Sequence, residues 1–229
     1  RQMCIRDRSY HMVFTGNPGT GKTTVARLVA RIYRELGILS EGQLIETDRS
    51  RLVAGYVGQT AINVREVVEQ AIGGVLFIDE AYALVSPDTT NDYGSEAVDT
   101  LVKMMEDHRD DLVVIVAGYR EEMEQFLRSN TGLISRFNKF ITFEDYSEQQ
   151  LLEILTVMAE QAGMVVEDTA VKKLGLYLAS MNEQERRDFG NARGVRNVFE
   201  RMIVNQANRI VLLEEPTKEQ LITLTAQDV

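Results

Sequence analysis

The sequence is poor in residues that staple or ligate. It has one cysteine, Cys4, so no disulfide can form within the chain. With that cysteine and only two histidines, a zinc site built from protein ligands alone is not expected. No apolar run approaches the length that spans a bilayer, and no stretch reads as a signal peptide. Neither a membrane partner nor a secretory route is expected, and a cytoplasmic location is the simplest reading. Basic charge is also short. The 25 lysines and arginines stand against 35 aspartates and glutamates, a formal net charge of −10. Such a surface repels nucleic-acid phosphate, so no nucleic-acid partner is expected. Internal repeats and low-complexity tracts are missing as well.

The chain does have enough apolar material for a core. Hydrophobic residues make up 44% of 229, which suits one sizeable domain or one domain with a smaller companion. The opening RQMCIRDR shows no period and runs abruptly into the strand-like YHMVF. It reads as translated sequencing-adapter sequence, in which case Cys4 is not native and the true N-terminus is missing; the plainer alternative is a frayed end. Residues 1–9 are set apart as a non-native or disordered segment.

From His11 the pattern alternates strand and helix. Strands are expected at His11–Thr15, Gly42–Asp48, Gly74–Asp79, Leu112–Gly118 and Lys139–Phe143. Helices are expected at Thr24–Leu36, Asn63–Ile72, Ser95–Asp107 and Glu121–Ser129. Apolar, β-branched runs separated by helices argue for a five-stranded parallel sheet covered on both faces. After Asp145 the strand signals nearly vanish. Ser147 and Gln150 form a capping-box pattern ahead of a helix that closes on Gly163. Further helices are expected at Thr169–Met181 and Ala192–Leu213, with LITLTAQDV as a short strand or tail. The expected organisation is an α/β core over residues 10–145 and a helical domain over 146–229. Ser86–Ser95 is a polar loop, long for its position.

Five pieces carry chemistry. First, GNPGTGKT, Gly16 to Thr23, fits G-x-x-x-x-G-K-[ST] between a strand and a helix. Gly16, Gly19 and Gly21, with Asn17, Pro18 and Thr20 between them, let successive backbone N–H groups turn inward as an anion nest. The helix N-terminus, through Thr24, adds partial positive charge. Lys22 is placed to reach the β- and γ-phosphates, and Thr23 to offer a hydroxyl to Mg²⁺. Second, GVLFIDE puts Asp79 at the end of a buried strand, where it can hold Mg²⁺, and Glu80 beside it, where it can polarise an attacking water. A binding switch has no need of Glu80, so hydrolysis is favoured. Third, Tyr56, Val57 and Gly58 stand on a loop suited to gripping a peptide; by itself Tyr56 reads better as a satellite-core tyrosine. Fourth, Arg136 precedes the fifth strand and suits a finger that completes a neighbour's phosphate site, or a helix-end ion pair. Fifth, Arg193 of GNARGVRN heads a helix and suits a γ-phosphate contact.

Together and in this order, the pieces resemble an AAA+ ATPase, and among these the red-type rubisco activase and stage V sporulation protein K family. FTGNPGTGKTTVA, GGVLFIDEAY, RDDLVVIVAGY, SRFNKFITFEDYS and NARGVRN carry the resemblance, which covers nearly the whole chain from Tyr10. The resemblance implies a P-loop core with a C-terminal helical lid. It implies Walker A roles for Lys22 and Thr23 and Walker B roles for Asp79 and Glu80. Tyr56, Val57 and Gly58 take the place of the central-pore loop, Arg136 that of the arginine finger and Arg193 that of the sensor-2 arginine. ATP and Mg²⁺ are the implied cofactors. A homo-oligomer, hexameric as is usual in such families, and a client protein are the implied partners. The chain departs from the family pattern in two places. Gly118-Tyr119 stands where the first sensor is commonly a polar residue, often asparagine, and the adenine-holding residues before the first strand are absent or replaced. The function so implied is ATP-driven remodelling of a client through a ring pore. A nucleotide-gated assembly module without threading is the alternative, and a DNA-processing loader is disfavoured by the charge.

Overall fold

The computed structural model describes residues 9–56, 58–85 and 93–229. RQMCIRDR with Cys4, Val57, and residues 86–92 of the polar loop lie outside the described residues. The chain divides into two compact units. One contains the chain up to Gly16 together with Gly21–Phe143; the other contains Asn17–Thr20 and Glu144–Val229.

In the first unit, β1 (Met12–Gly16) leads to α1 (Lys22–Glu35), β2 (Leu44–Thr47), α2 (Arg49–Leu52), α3 (Gln59–Ala71) and β3 (Val75–Ile78). A 3-10 turn (Ala81–Val85) precedes α4 (Tyr93–Asp107), β4 (Val113–Gly118), α5 (Arg120–Arg128), α6 (Thr131–Arg136) and β5 (Lys139–Phe143). All five strands are parallel, in the order β2-β3-β4-β1-β5. The two-residue period of a strand explains the continuous apolar runs. Met12, Phe14, Phe77 and Ile115 face Ala26 and Ala30 of α1. Val13, Leu76, Ile78, Val114 and Val116 face α3, α4 and α5 through Val68, Leu101, Met105 and Phe126. Both faces of the central strands are therefore covered and their positions are apolar, apart from Thr15, whose hydroxyl lies 3.3 Å from that of Thr142. The expectation of full cover fails at β5. It is the edge strand, and Phe140 and Ile141 are exposed there.

His11 closes the N-terminal end of β1. Its ring is buried, and Nδ1 accepts a hydrogen bond from the Val114 N–H at 2.9 Å. Burial, reinforced by the Arg136 and Lys139 charges, pulls its pKa down from 6.5 to about 4.

The second unit holds α7 (Glu148–Gln161), β6 (Val165–Val166), α8 (Asp168–Ser180), α9 (Glu183–Phe189), α10 (Ala192–Ile210), α11 (Lys218–Ile222) and β7 (Thr223–Leu224). The capping box is formed, with Gln150 N–H donating to Ser147 Oγ and Ser147 N–H to Gln150 Oε1. Leu155, Leu174, Val195 and Met202 fill a core of their own. The C-terminal stretch resolves into α11 and a two-residue strand, β7, paired parallel with β6. Asp228 anchors the end: its buried carboxylate accepts from Arg209 Nε at 3.0 Å and Nη2 at 2.9 Å.

Candidate functional site

In the first unit, β4 separates β1 from β3. The chain leaving the C-terminal ends of β1 and β3 thus borders the crevice where open α/β sheets place their ligands. Gly21 caps α1 in the left-handed region, at φ 91°, a conformation glycine adopts without steric cost. Lys22 follows in the first turn, its ammonium resting on the Gly16 carbonyl at 2.8 Å. Thr23 is half-buried beside it and Thr24 is exposed. Asp79 and Glu80 are both exposed beyond β3, and Asp79 Oδ1 accepts from the Glu80 N–H at 3.0 Å. Glu80 has φ 48°. A glutamate there stores on the order of 1–3 kcal/mol of strain, the kind of outlier that clusters at functional sites. A cleft of about 450 Å³, lined by Asp48, Arg49, Ser50, Val53 and Ala83, opens beside Glu80.

One tyrosine stands close to these carboxylates and a second packs against it. Burial, then the neighbouring Glu80, Tyr119, Glu122 and Asp79, pushes the Tyr82 phenol up to about 12, so it keeps its proton. Tyr119, the N-cap of α5, lies ring to ring with Tyr82 at 6.0 Å. Tyr119 belongs to the first-sensor region marked in the sequence. Tyr82 is not among the sequence candidates, although its position two residues past Glu80 on a tight turn is a usable signal.

In the second unit, Asn17–Thr20, the tip of the loop between β1 and α1, packs among residues that follow β5 and head α10. Gly19 sits at φ 74°, and a Cβ there would fall 2.1 Å from the Gly190 carbonyl oxygen and 3.0 Å from the Arg193 nitrogen. Only glycine fits. Arg193 lies in the first turn of α10, its N–H donating to the Gly190 carbonyl at 3.1 Å. Thr20 is buried and its hydroxyl donates to the Asn17 carbonyl at 2.8 Å. Asn17 Nδ2 donates to both Asp145 oxygens, at 3.0 and 2.9 Å, and Asn191 Nδ2 to Asp145 Oδ1 at 2.8 Å. Asp145 and Asn191 lie in stretches that carry the family resemblance, but the sequence assigns neither a role, because their partners stand 128 and 46 positions away.

Arg136 ends α6 and lies far from Asp79 and Glu80 in the same unit. Its carbonyl accepts from Ser9, ahead of β1, so it stands at the N-terminal edge of the sheet. The site lies at the C-terminal edge, roughly 15 Å of strand away. Its guanidinium pairs with Glu106 at 2.9 Å, while Nε is buried without an acceptor among the described residues. Tyr56 is 76% exposed, which removes the satellite-core reading. Gly58 caps α3 in the left-handed region.

The residues present suit a nucleotide triphosphate with a divalent cation. A glycine-turned loop running into a helix N-terminus offers backbone donors and partial positive charge to phosphate. Among the described residues, no group of three or more His, Cys, Asp or Glu could hold a metal alone. A hydroxyl and a carboxylate at Thr23 and Asp79 suit Mg²⁺, which keeps most of its shell as water and phosphate oxygen. No helix among the described residues is long and apolar enough to cross a membrane.

Known proteins bear out the family resemblance. The chain is 45% identical over 221 residues to the chloroplastic ribulose bisphosphate carboxylase/oxygenase activase of Cyanidioschyzon merolae, covering 96% of this chain and 75% of that one. It is 44% identical over 226 residues to stage V sporulation protein K of Bacillus subtilis, covering 98% and 70%. The fold matches a point mutant of Thermotoga maritima RuvB with a TM-score of 0.62 at 19% identity, covering 98% of this chain and 61% of that one. Residues 147–229 match the AAA lid domain. With residues 12–145 matching the family model as well, the chain belongs to the ATPase family associated with various cellular activities, AAA.

Proposed function

We propose that the chain binds ATP with Mg²⁺ on the phosphate loop, hydrolyses it in a ring of identical subunits, and uses the cycle to remodel a client protein through the ring pore. Lys22 and the loop amides hold the phosphates. Thr23 and Asp79 hold Mg²⁺, which when bound supplies charge neutralisation at the phosphate oxygens. Glu80 accepts the proton of the attacking water and orients it in line. Arg193 contacts the γ-phosphate. Tyr56, Val57 and Gly58 contact the client.

The observation that carries the ring is the position of Arg136. It lies at the sheet edge opposite Asp79 and Glu80 within one compact unit, so it cannot serve its own chain's phosphates. An arginine finger at this position works only on a neighbour. Its pairing with Glu106 then describes the finger within a single chain. An exposed aromatic at Tyr56, with no core to join, fits a surface that meets another polypeptide.

The test is the ATPase rate per chain against protein concentration, with Mg²⁺. A rate that climbs steeply with concentration is expected, since sites are completed between subunits. A measurable rate independent of concentration would refute the ring and the role of Arg136 in it.

A further inference from the structure

Four successive carbonyls of the phosphate loop are spoken for within the second unit. The Asn17 carbonyl accepts from the Thr20 hydroxyl at 2.8 Å. The Pro18 carbonyl accepts from Asn191 Nδ2 at 3.3 Å, the Gly19 carbonyl from the Ala192 N–H at 3.1 Å, and the Thr20 carbonyl from the Tyr146 hydroxyl at 3.1 Å. A trans peptide is planar, with its C=O and N–H pointing opposite ways. Fixing the carbonyls of Pro18, Gly19 and Thr20 on Asn191, Ala192 and Tyr146 therefore also fixes the N–H groups of Gly19, Thr20 and Gly21, each pointing away from its own plane's donor. Those amides are the ones that make an anion nest.

Asn191 is built for this task at a cost to itself. It precedes α10, where an asparagine ordinarily turns its side chain onto the helix's free N–H groups. Here it makes no such cap and sits at φ 56°, ψ −132°, a conformation unfavourable for a residue with a Cβ. Its buried amide is instead used in full. Nδ2 gives one hydrogen to Asp145 Oδ1 at 2.8 Å and the other to the Pro18 carbonyl, while Oδ1 accepts from the Tyr146 N–H at 3.0 Å. That last bond holds Tyr146, whose hydroxyl reaches Thr20. Asp145 in turn holds Asn17 through both oxygens.

We propose that Asn191, acting with Asp145 and Tyr146, is a positioning residue for nucleotide binding: it sets the peptide planes of the loop tip so that the amides of residues 19–21 converge on phosphate. This rests on the proposed nucleotide site at that loop. None of the three side chains needs to touch the nucleotide.

The experiment compares ADP affinity by calorimetry, and the unfolding midpoint without nucleotide, in wild type, Asn191→Gly, Tyr146→Phe and Lys22→Ala. Asn191→Gly removes the side chain while suiting the backbone conformation, so its midpoint should stay within a few degrees of wild type. ADP should bind about tenfold more weakly to it, and about threefold more weakly to Tyr146→Phe, which loses one hydrogen bond and no packing. If both variants bind ADP as wild type while Lys22→Ala loses binding, the nucleotide site stands and the positioning role falls. A variant that melts early but keeps full affinity would likewise reduce Asn191 to a structural residue. If Lys22→Ala binds ADP normally, the nucleotide reading of the loop fails, and this proposal with it. Should Asn191→Gly not fold, Tyr146→Phe alone decides.

Discussion

His11 gives the fold a calculable weakness to acid. Its ring is buried with Nδ1 accepting the Val114 N–H, and the native state holds the imidazole neutral down to about pH 4, against 6.5 for the free side chain. Well above pH 6.5 neither state is protonated and stability does not depend on this group. As pH falls from 6.5 towards 4, the unfolded chain takes up a proton that the native chain refuses, and stability drops by about 1.4 kcal/mol per pH unit. Over the whole window the loss is about 3 kcal/mol, a large part of a typical stability. The perturbation is His11→Gln, whose side-chain carbonyl can still accept from Val114 but does not titrate. Urea unfolding of both proteins from pH 7.5 to 4.5, followed by a probe in the first unit, isolates the effect, because every carboxylate is shared. The variant should be the less stable at pH 7.5, through lost packing. The wild type should then lose about 2 to 3 kcal/mol more than the variant by pH 4.5. Parallel curves, or a His11 resonance titrating near 6.5 in the native protein, would refute the reasoning.

The remaining predictions concern turnover. Glu80→Gln should keep nucleotide affinity and lower the hydrolysis rate by about a hundredfold or more, since an amide cannot take the water's proton; unchanged turnover would remove Glu80 from the mechanism. Arg136→Ala and Lys22→Ala should each be inactive alone. Mixed together they should regain part of the activity, because an intact loop on one chain meets an intact finger on the next; absence of rescue under conditions where the chains assemble would count against action in trans. Tyr56→Ala should leave ATP turnover in place and abolish client remodelling, and remodelling that survives it would favour a nucleotide-gated module without threading.

The sheet is legible in the sequence because its signals are local and redundant. Each central strand is a run such as VLFI or VVIVAG that has no other use, and the following helices carry apolar residues at the right spacing. β5 falls at Lys139–Phe143 as its composition suggests, yet its exposure is invisible there, because an edge strand and a central strand differ in neighbours rather than in residues. Short elements escape. α2 and α6 have four and six residues, and β6 and β7 two each, too few for a period to show. α9 escapes despite a readable start, since Asn182 and Glu185 form a capping box and Gly190 ends it in the left-handed region. Among the candidate site residues, Gly16 to Thr24, Asp79 and Glu80 can be picked out in the sequence because they lie within short motifs. Asp145, Tyr146 and Asn191 cannot, because a carboxylate and an amide after a strand mean nothing until folding puts them beside one another.

The phosphate loop shows why a motif and its cause can lie apart. Its two ends, Gly16 and Gly21 onward, belong to the α/β unit, while Asn17–Thr20 belong to the helical one. A glycine in such a loop is usually explained by the ligand, as a position where a side chain would keep phosphate away. At Gly19 the nearer obstacle is protein. The Gly190 carbonyl would lie inside the radius of any Cβ, whether or not a nucleotide were bound. The same holds for the loop's carbonyls, whose donors are Asn191, Ala192 and Tyr146. The residues of the proposed nest are thus read in one short stretch, but the donors that hold its carbonyls come from far downstream in the chain. On the positioning role proposed for Asn191, Asp145 and Tyr146, phosphate binding at the loop is expected to depend on those three residues whether or not Arg193 makes a contact of its own. A chain cut after Phe143 would retain Lys22, Thr23, Asp79 and Glu80 but lose the donors to the Pro18, Gly19 and Thr20 carbonyls, and it is expected to bind ADP more weakly than the full chain.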